Sequence, residues 1–386
     1  MKTLSCFLMM AALPGVMVLN GHAQSVSKPV VIGEEVALFS NVLKEERVLY
    51  ISKPANYETT KDRYPVLFLL DGITHFHHTT GTTAFLARNQ FMPDMLVVAI
   101  GNTDRARDMT PPSQDPTVAK NLPTHGGAAN FQRFIADELI PWLDKNYRTR
   151  PYRILVGHSL GGLFAITSLI TRPELFNAYI AISPSLQWDN QNVVSRAQAF
   201  FDKTDKLSAS LYMTSGNEGD ALVGGIRKLS GALEEKAPAG LEWHFEPMPL
   251  ESHGSVPHRS TYQGLEFIFA DWTLRNPFET YNKYGFAGIE HFFKASDKKY
   301  GTDRGVPESV GGGIAVQLEN AGRLDEIVEM LARPSVVKPP PRFLIRIADQ
   351  YLRTGSPEKA IELYRSVLNV DPANEAARQA LTKLGK

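Results

Sequence analysis

Short runs of apolar residues with almost no polar alternation constrain this chain most. They are Val66-Leu67-Phe68-Leu69-Leu70, Leu96-Val97-Val98-Ala99-Ile100, Ile154-Leu155-Val156, Ala178-Tyr179-Ile180-Ala181-Ile182 and Leu211-Tyr212-Met213-Thr214. A strand with one wet face alternates in polarity, so a continuous run needs apolar cover on both faces. Trp243-His244-Phe245-Glu246 reads as a last, less regular strand. Amphipathic segments of helical length lie near 128–146, 160–172, 221–236 and 256–274. This alternation predicts an α/β fold, a doubly wound and mostly parallel sheet with helices on both faces. Residues 30–53 read instead as antiparallel strands, with Val48-Leu49-Tyr50-Ile51 closed by Pro54. In such sheets the ligand crevice lies outside the carboxyl ends of the strands. The residues just after each run are therefore the candidates for chemistry.

One of those positions carries Gly157-His158-Ser159-Leu160-Gly161-Gly162, between Ile154-Leu155-Val156 and the apolar stretch Leu163-Phe164-Ala165-Ile166. Strand, sharp turn and helix in this order form the G-x-S-x-G arrangement that lifts a serine hydroxyl clear of a sheet. Gly157 and Gly161 are expected to let backbone pass where a Cβ would collide. The competing reading is a glycine-rich turn with a spectator serine.

A serine hydroxyl needs a base within hydrogen-bond reach, and the base needs a partner that fixes its tautomer. The chain order for this turn is serine, acid, histidine. His253 follows the last strand and precedes the last long helix of the alternating region, and Gly254 is expected to let its loop approach the serine. His258 is the alternative base. His244 reads as a packing residue in a strand, and His291 as part of a linker. The acid is expected in Ser215-Gly216-Asn217-Glu218-Gly219-Asp220. Glu218 is nearer the strand end, while Asp220 could equally cap the next helix. Two donors must face the oxyanion. One is the backbone N–H of Leu160; the other is expected from Gly72 or Ile73, with Asp71 shaping the turn. His75, His77 and His78 do not make a good zinc face and read as a surface loop or as side chains lining the site. Trp188, after another strand end, is expected to line a substrate cleft. Residues 101–127, rich in proline and poor in periodicity, are expected to overhang the site.

The formal net charge is zero, so no electrostatic footprint suggests nucleic acid or an anionic membrane. No phosphate-binding loop or dinucleotide fingerprint is present, and neither a cofactor nor a metal is expected. The N-terminus has a short basic start, an apolar stretch from Leu4 to Leu19 broken by Pro14 and Gly15, and small residues before Gln24. This reads as a cleaved secretory leader over residues 1–23, hence a periplasmic or secreted bacterial protein with no membrane span after cleavage. The single cysteine, Cys6, lies inside that leader, which removes disulfides and thiolate chemistry from the mature chain.

Residues 307–386 have a different pattern. Leu344, Ile347, Ala348, Tyr351, Gly355, Ala360, Tyr364, Val367 and Pro372 fill the signature positions of a tetratricopeptide-like register. Gly322, Ile327, Leu331 and Pro339 repeat that spacing, with Ala315 and Leu318 ahead of them. Gly311, Gly312 and Gly313 weaken this first copy. Two repeats rarely stand alone, so the tail is expected to dock on the rest, joined by a linker over 277–306. It could also serve self-association or a protein partner.

Four motifs in order carry a family resemblance. They are Tyr64-Pro65-Val66-Leu67-Phe68-Leu69-Leu70-Asp71-Gly72, the stretch from Asn102 to Pro111, the stretch from Phe134 to Trp142, and the Ser159 turn. From about residue 30 to 275 the chain resembles the putative-esterase branch of the α/β-hydrolases. The Arg105-to-Pro111 loop and Ser183-Pro184-Ser185-Leu186-Gln187-Trp188-Asp189 look most similar to its siderophore trilactone esterases. The resemblance implies an α/β-hydrolase domain over 24–276 and a carboxylic ester hydrolase working through an acyl-enzyme. Ser159, His253 and Glu218 would be catalytic, and Leu160, Gly72 and Ile73 would hold the oxyanion. Arg105, His158 and Trp188 are the residues expected to touch a small-molecule, siderophore-type ester. An acyltransferase of the same fold, or a partner-binding protein acting through the tail, are the alternatives.

Overall fold

The computed structural model describes residues 27–386. The leader expected over 1–23, with Cys6, lies outside the described residues. Gly33–Lys386 form one unit. Eight strands run in chain order: β1 (Glu34–Ser40), β2 (Glu45–Ser52), β3 (Tyr64–Leu69), β4 (Leu96–Ile100), β5 (Thr149–His158), β6 (Ala178–Ile182), β7 (Lys206–Ser215) and β8 (Ala239–Pro247). They make one sheet in the order β1-β2-β4-β3-β5-β6-β7-β8. The β1–β2 and β2–β4 pairings are antiparallel, and every pairing from β4 to β8 is parallel. The antiparallel start and parallel body match the sequence reading.

The apolar runs split between the two faces with the period of two that a strand imposes. Val66, Phe68, Leu70, Leu155 and Leu211 join one core. That core is covered by α6 (Leu160–Thr171), α7 (Trp188–Lys203) and α8 (Asp220–Lys236). Leu67, Leu69, Ile154, Val156 and Ile180 join the core on the other face. Its cover is α1 (Gly72–Arg88) and α9 (Val256–Ile268). Between α1 and α6 lie α2 (Arg105–Met109), α3 (Pro116–Asn121), α4 (Ala128–Arg133) and, after one wide helical turn, α5 (Ile140–Asn146).

Two covering helices are absent from the sequence reading. Helix α1 is rich in His, Thr and Gly, types with weak helix propensity. It places His75, His77 and His78 on a helix and not in a loop. Helix α7 begins with three left-handed residues, Asp189 (φ 47°), Asn190 (φ 52°) and Gln191 (φ 64°), which break its periodicity.

Residues 277–306 are helical for most of their length. Helix α10 (Pro277–Tyr300) fills most of them, broken once at Gly285. Its far end belongs to the sheet: the buried Tyr300 hydroxyl donates to Ile268 O at 2.8 Å. Just beyond, the Arg304 guanidinium stacks on Trp272 at 3.5 Å and donates to Trp272 O and Ser296 Oγ. Its other turns, through Phe286, Ile289 and Phe293, join a separate core. That core is shared with α11 (Glu308–Asn320), α12 (Leu324–Leu331), α13 (Pro341–Arg353), α14 (Pro357–Val370) and α15 (Glu375–Lys383). Ile347, Ala348, Tyr351, Ala360, Tyr364 and Val367 form its interior, and Gly355 makes the α13–α14 turn at φ 80°. The three glycines at 311–313 did not prevent α11. Among the described residues, no helix is long and apolar enough to cross a membrane.

Candidate active site

Ser159 stands between β5 and α6 with φ 59° and ψ −112°. A non-glycine residue held at positive φ costs roughly 1–3 kcal/mol and persists only where surrounding contacts fix it. Here the Ser159 N–H donates to Ile182 O at 2.9 Å. Its carbonyl accepts from Leu163 N at 2.9 Å and from Ser185 N at 3.0 Å. Gly157 is sterically obligatory, since a Cβ there would sit 2.2 Å from Gly161 O. Gly161 is not, because its Cβ would meet nothing closer than 3.4 Å. The Ser159 Oγ lies 3.2 Å from Ser185 Oγ. Ser185 was missed by the sequence reading, although it stands in the Ser-Pro-Ser stretch after β6.

The acid and histidine loops press on one another. A Cβ on Gly216 would lie 2.7 Å from Glu251 O, and Asn217 N donates to Glu251 O at 2.6 Å. Gly216 N in turn donates to Ser183 Oγ at 3.2 Å. These contacts bring His253 Nδ1 within 2.6 Å of Glu218 Oε1. The Glu218 side chain is 5% exposed, that of His253 41%. The His253 ring lies against His158, the neighbour of Ser159, with centroids 4.5 Å apart. Gly254 faces open space, so it is not what brings the loop close.

The alternatives lie elsewhere. Asp220 is the exposed first residue of α8, with Gly219 as the cap. His258 is exposed on α9, edge-on to His78 at 5.3 Å. His244 stacks on Tyr212 at 5.8 Å, and His291 is exposed on α10.

The second expected donor pair is at a helix start and not in a loop. Asp71, not Gly72, makes the turn, with φ 54° and ψ 48°. Gly72 and Ile73 are the first residues of α1, where N–H groups lack intrahelical partners. Leu160 holds the same position in α6. Two helix N-termini therefore sit at the ends of the neighbouring strands β3 and β5, a favourable place for developing negative charge.

Arg105 is occupied more than expected of a substrate contact. Its Nε and Nη2 donate to the Asp71 carboxylate at 2.6 and 2.9 Å, and Nη2 also donates to His158 O at 3.1 Å. Asn102 Nδ2 completes this grip at 2.7 Å. Burial pushes the Asp71 carboxyl up, but Arg105 and then Asn102 outweigh it and hold it below the usual range. The rest of the Arg-rich motif is also structural. Arg107 pairs with Glu45 at 2.6 Å, and Asp108 with the buried Arg47. The 101–127 segment is thus pinned to β2 and β3.

Trp188 corrects an expectation. It is 6% exposed and packs in the main core, with His125 5.9 Å away. The chain after β6 returns to the core instead of continuing outward, burying Trp188 at the start of α7. His158 is half-buried, and its Nε2 has no hydrogen-bond partner among the described residues. Burial, followed by the neighbouring His253 and His75, lowers its pKa to about 4. Among the described residues no cluster of three or more His, Cys, Asp or Glu could hold a metal.

Known proteins resemble this chain in sequence and in fold. The family model described as Putative esterase matches residues 40–223. The siderophore triacetylfusarinine C esterase of Aspergillus fumigatus is 32% identical over 274 residues, covering 59% of this chain and 90% of that protein. The ferri-bacillibactin esterase BesA of Bacillus subtilis is 32% identical over 192 residues; the match covers 45% of this chain and 66% of BesA, just under two thirds of its length. The crystal structure of an IroE-like serine hydrolase from Shewanella oneidensis superimposes with a TM-score of 0.65 at 26% identity, covering 77% of this chain and 97% of that one. A strand–serine–helix turn on this sheet order, together with these relatives, establishes that the chain belongs to the putative-esterase family of α/β-hydrolases.

Proposed function

We propose that this protein is an exported serine esterase that cleaves a carboxylic ester of a siderophore-type substrate through an acyl-enzyme. The observation that carries the reading is the Glu218–His253 bond of 2.6 Å, set against the ring of the residue that precedes Ser159. Ser159 Oγ attacks the ester carbonyl while His253 Nε2 takes its proton. Glu218 accepts from His253 Nδ1, which fixes the tautomer and offsets the imidazolium charge as it forms. The N–H groups of Leu160 and of Gly72 or Ile73 stabilise the oxyanion. Collapse of the tetrahedral intermediate releases the alcohol with the proton that His253 held. Water then attacks the acyl carbonyl as His253 takes its proton. The second tetrahedral intermediate collapses, the bond from Ser159 Oγ to the acyl carbon breaks, and His253 returns the proton to Ser159 Oγ as the acid leaves.

The Ser159 hydroxyl rests against Ser185 in the free protein and must turn toward His253 when substrate arrives. Hydrogen bonds of this kind are often long or unformed before substrate binds. The siderophore class rests on the named activities of the two curated relatives, and export on the leader-like N-terminal sequence. Arg105 Nη1, which has no hydrogen-bond partner among the described residues, is the group of that side chain left to meet an anionic substrate.

The experiment is a hydrolysis panel with the purified chain: a catecholate trilactone, free and iron-loaded, a hydroxamate siderophore ester, a feruloyl sugar and p-nitrophenyl acetate. Preference for either siderophore ester is expected. Equal or better turnover of the feruloyl sugar would reject the substrate class while leaving the esterase reading in place.

A further inference from the structure

Five imidazoles form a row across the site, in the order His258, His78, His75, His158, His253. Their successive centroid separations are 5.3, 5.2, 5.7 and 4.5 Å. As a proton wire the row has no purpose, because His253 is already open to solvent. Its last contact, His158 on His253, differs from the others. It is the closest, and at 43° between planes it is flatter than the near-perpendicular His75–His158 pair.

Glu218 holds one nitrogen of the His253 ring. A ring pinned at one atom can still swing about that bond, and a small misplacement of a reacting group can cost about 10²-fold in rate. A second point of hold is needed, and His158 is what lies against the ring. We infer that His158 is a positioning residue for His253, its imidazole forming the wall that keeps the base turned toward Ser159. The inference rests on the esterase reading above.

His158 is itself braced. Its carbonyl accepts from Arg105 Nη2, its ring meets His75 on α1 edge-on, and Arg105 is clamped to Asp71. The same Asp71 opens α1, which carries the Gly72 and Ile73 donors. Base and oxyanion donors are thereby tied to one frame. The charged and titratable groups around the His158 ring are His253, His75, Asp71 and Arg105. Burial keeps this ring neutral well below pH 6, so it does not repel the His253 imidazolium formed during catalysis. Its unpartnered Nε2 fits a ring used through its face and not through its nitrogens.

The test uses the full chain with His158→Leu, which fills the space without a flat face, and His158→Phe, which keeps the face without nitrogens. Melting curves establish that both are folded. With p-nitrophenyl acetate, His158→Leu is expected to lower kcat by about 10–100-fold with KM within about twofold. His158→Phe should stay within about threefold of the parent. The midpoint of the acid limb of kcat/KM, which reports the base, should fall in the Leu variant by on the order of half a unit, because the imidazolium loses its π-face. It should hold in the Phe variant; a mere space-filler would leave it unmoved in both. Parent-like kinetics in the Leu variant would overturn the inference. So would a Phe variant as slow as Leu, which would assign the role to the ring nitrogens, or a change in KM alone, which would make His158 a substrate contact. A parent chain that hydrolyses no ester would instead defeat the esterase reading itself.

Discussion

Backbone strain is distributed unequally between the sheet region and the C-terminal helices. Before residue 192, eight described non-glycine residues have positive φ: Lys44, Asp71, Gln90, Ser159, Ser183, Asp189, Asn190 and Gln191. Three of them, Asp71, Ser159 and Ser183, stand just beyond the carboxyl ends of β3, β5 and β6, beside the candidate site. From Pro277 onward every described positive-φ residue is a glycine: Gly285, Gly301, Gly305, Gly322, Gly355 and Gly385. The helical region turns where the chain turns without strain. The sheet region places serine and aspartate where glycine would be easier, and secures them with buried hydrogen bonds. Strain of this kind clusters where geometry serves chemistry; the helices hold themselves by packing and by side-chain bonds such as Arg346–Glu319 and Tyr351–Asp325.

The sharpest way to break this contrast is to remove the strained hydroxyl. Ser159→Ala should lower ester hydrolysis by about 10⁴-fold or more while the melting temperature stays within a few degrees. Residual activity near the parent's would make the strained serine a spectator and the contrast meaningless.

In the helical region, Tyr364 is fully buried and donates to Asp349. Tyr364→Ala should cost about 3–5 kcal/mol of that region's stability and leave kcat/KM within about twofold. Calorimetry and kinetics on the same sample decide it. Activity lost in step with the helices would show that the two regions share one function.

Acid should separate the regions as well. Burial first, then neighbouring imidazoles, lowers His78 and His158 to about 4, and burial lowers His75. A histidine whose folded pKa lies below its unfolded value near 6.5 stabilises the fold fully above pH 6.5. That contribution is lost as pH falls from 6.5 toward 4. His78 and His158 should each cost about 1–2 kcal/mol by pH 5, and His75 acts in the same direction. The helical region from Pro277 has one histidine, the exposed His291, and its unfolding should barely move over that window. A pH-independent melt of the sheet region would contradict the lowered pKa values of His75, His78 and His158.

The smallest effects concern φ itself. Gly355→Ala should cost about 1–2 kcal/mol at φ 80°. Asn190→Gly, exposed at φ 52°, should change stability by less than about 0.5 kcal/mol. Denaturant midpoints measure both.

Much of the sheet was legible because burial on both faces writes itself as unbroken apolar runs. The Ser159 turn was legible for a related reason, since its glycines, serine and flanking strand and helix are adjacent in sequence. Glu218 and His253 could be proposed from chain order alone, but the contact between them depends on two loops meeting near Gly216 and Glu251. Helices α1 and α7 were hidden, one by low-propensity residues and the other by a left-handed start. Trp188 misled because a strand end predicts exposure only when the chain continues outward. Ser185, Asn102 and the tie between Arg105 and Asp71 are tertiary facts. No local spacing encodes them, although the Ser-Pro-Ser and Arg-rich motifs marked where to look.

The most direct test of the central claim is the site and rate of modification by a fluorophosphonate, read by mass spectrometry of the intact chain and its peptides. One adduct is expected, on Ser159, formed at least about 100-fold more slowly in His253→Ala. Equal rates in parent and variant, or an adduct on Ser185 with Ser159 untouched, would contradict it.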